Sequence, residues 1–147
     1  MQLHDPTVDT CNELLRGELS AVESYTRALD RFPAAPGDEM LARIRADHED
    51  SAMELRRLVI ACGAEPSPTA GVWGALAGAA EGAAAILGFA PACALLLEGE
   101  EHGLREYTDA LEDSDVSWEL KQLIRDELLP RLTDHVIELQ RRRDRAS

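Results

Sequence analysis

Apolar residues recur along the chain at the spacing of a single helix face. Cys11, Leu14, Leu15, Val22, Tyr25 and Leu29 form one such stripe, and Cys93, Leu96, Leu97, Leu104, Tyr107 and Leu111 form another. Leu41, Ile44, His48, Ala52, Leu55 and Leu58 make a third, and Leu120, Ile124, Leu128, Leu132, His135 and Leu139 a fourth. Four polar residues interrupt these inward faces: Glu18, His48, Glu100 and His135. A carboxylate buried in an apolar stripe needs a cation, a hydrogen-bond donor or a proton, because burying it alone is very costly.

Turn and cap signals set the boundaries, and the elements they predict are helices over 6–31, 38–62, 68–88, 91–113 and 115–143. Asp5-Pro6 is an acceptor followed by proline at the first helical position, where the missing N–H does no harm. The run from Phe32 to Gly37 breaks the chain, and Asp38 and Glu39 suit the positive first turn of the next helix. Ser67-Pro68 is a second start of the same kind. It opens an Ala- and Gly-rich stretch in which Gly74, Gly78 and Gly82 recur every four residues, a pattern suited to close approach of another backbone. That stretch is read as a crossover helix between two hairpins. Pro91 opens the next helix, and Ser114, Asp115 or Ser117 caps the last. Pro130 removes one backbone bond inside that last helix and predicts a kink.

The first two stripes are also related as sequences. Residues 11–29 return as 93–111 with nine of nineteen positions identical and no gap, which points to an internal duplication. A fainter echo links Asp47-His48 with Asp134-His135 and Leu41 with Leu128. Each half then reads Glu, then His, on an inward face.

Composition narrows the class. Helix formers dominate the 147 residues, so a single all-α domain is expected. Against 15 basic residues stand 28 acidic ones, giving a net charge of −13, which repels phosphate backbones and excludes nucleic acid as a natural partner. Cys11, Cys62 and Cys93 form no CxxC pair and no even framework, so free thiols in a reducing cytoplasm are expected. The first residues do not read as a secretion signal. From Gly71 to Leu97 only Glu81 is charged, but Gly88 and Pro91 interrupt the run, and membrane insertion is not the expected reading. No phosphate loop, Ser-His-Asp order or zinc-finger spacing occurs. The small-molecule substrate, if any, is not legible.

With Glu18, His48, Glu100 and His135 converging from four helices, and with the repeated Gly17-Glu18 and Gly99-Glu100 pairs, the chain resembles the ferritin-like four-helix-bundle superfamily, closest to an uncharacterised bacterial branch of it. The resemblance covers nearly the whole chain and implies a long crossover and a mid-bundle metal site. In that family two helices each give a Glu and two each give a Glu-x-x-His. Glu18 and Glu100 match the first pair and His48 and His135 the histidines. Arg45 and Leu132 stand where the bridging glutamates belong, so the complete di-iron set is absent.

Two readings stay open. In one, Glu18, His48, Glu100 and His135 bind a single iron, zinc or manganese ion. In the other they form metal-free Glu–His pairs, joined by Arg45 or Arg131, that fix the register of the bundle. Tyr25 and Tyr107, seven residues beyond the two glutamates, are either hydrogen-bonded to them or ordinary core aromatics. Cys11 and Cys93 are expected as buried thiols at opposite ends of the bundle, His4 and His102 as exposed, and Asp47 and Asp134 as solvated neighbours of the histidines. A homo-oligomer is expected through the glycine-striped helix or a neighbouring apolar face.

Overall fold

The structure is a computed structural model that describes residues 5–71, 78 and 87–146. Four helices account for most of them: α1 (Pro6–Arg31), α2 (Asp38–Ala61), α3 (Phe89–Glu112) and α4. The last is compound, an α-helical turn at Trp118–Leu123, a wider π-helical turn at Ile124–Leu128 and an α-helix at Leu129–Ala146. No strand occurs among the described residues.

Caps begin and end these helices largely where the sequence predicts. The Asp5 carboxylate accepts the Thr7 N–H at 2.9 Å, with Pro6 at the first helical position. Of the three candidate caps for α4, Ser117 is the one used, its hydroxyl accepting the Leu120 N–H. Gly37 precedes α2 at φ 100°, a left-handed conformation that a side chain would strain. The kink expected at Pro130 takes the form of the π turn just before it. Pro130 has no N–H for the carbonyl four residues earlier, and the Leu129 N–H instead reaches back five residues to the Ile124 carbonyl.

A helix over 68–88 requires correction at its start. Residues 68–71 are bends and a turn, and Gly71 has φ 67°. The Asn12 side chain accepts the Ser67 N–H at 2.9 Å and Arg16 donates to the Ser67 hydroxyl at 2.7 Å, so α1 holds this segment before any helix begins. The remainder of that predicted crossover helix, with Gly74 and Gly82 of its stripe, lies outside the described residues apart from Gly78, Leu87 and Gly88.

Packing gives the topology. One core cluster joins Cys11, Leu14 and Leu15 of α1 to Leu55 and Val59 of α2, Tyr107 and Ala110 of α3, and Leu120, Ile124 and Leu128 of α4. The other joins Tyr25 and Ala28 to Leu41 and Ile44, Leu96 and Leu97, and Leu139. Thus α1 runs antiparallel to both α2 and α3, α3 runs antiparallel to α4, and the connection from α2 to α3 passes from one end of the bundle to the other. The four polar residues of the inward faces fall between the two apolar clusters, at mid-bundle. No described helix is long and apolar enough to cross a membrane.

Candidate metal centre

Glu18, His48, Glu100 and His135 are all buried, and the structure brings them into one hydrogen-bonded layer. His48 is the hub. Its Nδ1 lies 2.5 Å from Glu18 Oε2 and its Nε2 lies 2.7 Å from Glu100 Oε1, so the ring spans the carboxylates of α1 and α3. His135 reaches the same carboxylate from α4: its Nδ1 lies 3.3 Å from Glu100 Oε1, and its Nε2 lies 2.8 Å from Asp47 Oδ2. The two imidazole centroids are 4.9 Å apart.

Both tyrosines belong to this layer. Tyr25 donates to Glu100 Oε1 at 2.7 Å and Tyr107 donates to Glu18 Oε1 at 2.5 Å. Tyr25 also stacks on the His48 ring, centroids 5.5 Å apart. Helical spacing explains the reach: each tyrosine lies about two turns beyond the glutamate of its own helix, and because α1 and α3 run in opposite directions it faces the glutamate of the other.

Electrostatics follow from burial and contact. Burial works against a charged His48, but the Glu18 and Glu100 carboxylates and the hydrogen bonds they accept outweigh it and push His48 up to about 10. For Glu100 burial opposes charge as well, and His48 and His135 overcome it, holding the carboxyl at about 2. Burial, then the adjacent carboxylates, push both tyrosines well above the ordinary phenol range, so each remains a donor. Every buried side-chain nitrogen and oxygen among the described residues has a hydrogen-bond partner.

Within the layer, His48, Glu100 and His135 form a group whose potential ligand atoms all lie within 4.8 Å of one another, close enough to hold a metal ion. Glu18 is not in that group, because it meets the other nitrogen of the His48 ring. Arg45 and Arg131 do not join the pairs as the metal-free reading expects. Arg45 reaches Thr26 and Glu49, and Arg131 reaches Ser51 and Glu54, so the cations bind the outer faces of the helices. Asp47 requires the opposite correction: it is half-buried rather than simply solvated, and its carboxylate holds His135. Asp134 is exposed, and His102 pairs at the surface with Glu106 at 2.9 Å. His4 lies outside the described residues.

The thiols of Cys11 and Cys93 are buried and free, and Cys62 is exposed. Cys11 donates to the Leu55 carbonyl at 3.3 Å, and burial pushes it up to about 12, which makes it an inert core group. In comparisons with known proteins, no family model, no curated protein and no solved structure matches this chain. The described residues thus form an all-helical four-helix bundle whose core carries a buried His/Glu/His cluster capable of coordinating a metal ion.

Proposed function

We propose that this bundle is a single ferritin-like domain of two duplicated hairpins whose core binds one divalent metal ion through His48, Glu100 and His135. One observation carries the reading. His48 Nε2 and His135 Nδ1 both face Glu100, while the remaining nitrogen of each ring is held by a separate carboxylate, Glu18 at 2.5 Å and Asp47 at 2.8 Å. Metal-ligating histidines are oriented in this way, since a carboxylate on the far ring nitrogen fixes the tautomer and raises the basicity of the ligating one. Glu18 is therefore a positioning residue, although the repeat makes it the counterpart of the ligand Glu100.

The donor set fits a divalent ion. Two imidazoles and one carboxylate suit zinc or non-haem iron, and three protein ligands leave a coordination position open. Charge agrees: Glu18 and Glu100 bring two negative charges into a layer that no described arginine or lysine enters, and two neutral imidazoles with a dication would balance them. When bound, the ion would supply Lewis acidity, or one-electron chemistry in the case of iron. The chain supplies the tyrosine donors, which hold both carboxylates in place, and an apolar layer on each side of the site along the bundle axis. Free thiols fit a reducing cytoplasm, and exposed Trp118 and Ile60 fit a homo-oligomeric contact.

A second reading has its own observation. His48 bridges both carboxylates at hydrogen-bond distance, which is the arrangement of an imidazolium in a metal-free polar layer that fixes helix register. Metal analysis of protein expressed with iron, zinc or manganese decides between them. The metal reading expects about one equivalent per chain, lost in His135→Ala. Absence of stoichiometric binding for all three metals, with no change in melting temperature on their addition, overturns it.

A further inference from the structure

A cavity of 370 Å³ lies between α1 and α3, at the small end of the roughly 300–1,000 Å³ of ordinary ligand pockets. Leu14, Leu95, Leu96 and Leu132 form its apolar walls, and Gly17, Gly99 and Gly103 line it without side chains. A Cβ at Gly99 would meet nothing within 4 Å, so the missing side chain there is open space. Glu18, Glu100 and the two tyrosines close one side, while Glu13, Glu98, His102 and Glu106 bring further polar groups.

Among these polar groups carboxylates outnumber the imidazoles of His48 and His102. Five carboxylates line the cavity, and no described lysine or arginine does. Glu106 shows the consequence: burial, and beyond it the Glu13, Glu18 and Asp109 carboxylates, push it up against the pull of His102. An anionic guest would meet repulsion and an uncompensated burial cost, whereas an apolar body with a cationic head finds walls for one and carboxylates for the other.

We propose that the cavity between α1 and α3 binds a small amphipathic amine, its hydrocarbon body among the leucines and its ammonium group beside Glu13 and Glu106. The cavity shares His48 and Glu100 with the proposed metal site along one wall, but the ammonium contacts, Glu13 and Glu106, are not metal ligands, and binding does not depend on a metal being bound.

Hexylamine, protonated at pH 7, serves as the probe, with hexanol and hexanoate as neutral and anionic controls of matching length. Amide NMR titration of the wild-type protein should show saturable shifts around Gly17, Gly99 and Gly103 with hexylamine. Binding to hexanol should be about tenfold weaker, and binding to hexanoate weaker still, because a charge-assisted contact is lost. Gly99→Leu, which fills the open space and improves helix propensity, should remove hexylamine binding. Glu106→Gln should weaken it about tenfold with the fold unchanged. Equal binding of hexanol, indifference of hexylamine binding to both variants, or no saturable shift with hexylamine overturns the proposal. Metal content measured on the Gly99→Leu sample separates this outcome from failure of the metal reading.

Discussion

Tyr107 of α3 donates to Glu18 of α1 at 2.5 Å, the reciprocal of the 2.7 Å bond from Tyr25 of α1 to Glu100 of α3. Each repeat thus holds the carboxylate of the other, and the two helices are tied at mid-bundle by a pair of buried charge-assisted bonds. Tyr107→Phe leaves Glu18 buried with one donor fewer. The expected cost is about 1.5–3 kcal/mol, the usual range for hydrogen bonds to charged groups. Urea unfolding of Tyr107→Phe and Tyr25→Phe should give similar losses; a loss near zero in both would mean that water replaces the hydroxyls.

The same layer predicts how stability depends on pH. His48 is held at about 10 against an unfolded value of 6.5, so its contribution is complete below about 6.5 and is lost as pH rises toward 10. Glu100 is held at about 2 against 4.5, so its contribution is complete above about 4.5 and is lost as pH falls toward 2. Metal-free protein should therefore be most stable between about pH 4.5 and 6.5 as far as these two groups decide it. Replacing the imidazole in His48→Phe should flatten the alkaline decline, measured as urea midpoints across the pH range.

These contacts mark how far the sequence could be read. The four described helices and their inward residues were legible because the apolar stripe has the period of a helix and the caps at Asp5 and Ser117 stand at its edges. The join of the four polar residues was legible too, since a charge in such a stripe has nowhere else to go. Asp47 was not. Its place next to His48 puts it off the inward face, and only the crossing of α4 brings His135 within 2.8 Å of it. Nor could the repeat distinguish Glu18 from Glu100. They hold equivalent positions, and the difference arises because the His48 ring offers them different nitrogens. Gly103 carried no signal either, yet a Cβ there would lie 2.7 Å from Leu132 Cδ2, so any larger residue would force the Leu132 side chain to shift.

A bound metal should also act on stability by mass action. At a free concentration of about one hundred times Kd, an ion that binds only the folded chain adds about 2.7 kcal/mol. Differential scanning calorimetry with added zinc or with ferrous iron under anaerobic conditions should show the melting temperature rise with metal concentration and fall back with a chelator. In His135→Ala the rise should vanish.

The roles assigned to the two glutamates can be separated by one comparison. Glu100→Gln replaces the only anionic ligand with a neutral amide and should abolish stoichiometric metal binding. Glu18→Gln changes the acceptor on His48 Nδ1 without touching the ligand atoms, and changes of that kind typically weaken metal affinity by about 10–100-fold. Competition titration against a chromogenic chelator reads both. Equal and complete loss in the two variants would make Glu18 a ligand in its own right. If neither variant changes affinity, while Glu18→Ala destabilises the metal-free protein by about 3–5 kcal/mol, the layer is a structural polar network. His48 is then the imidazolium at its centre, since removing Glu18 leaves that buried charge with only Glu100 to balance it.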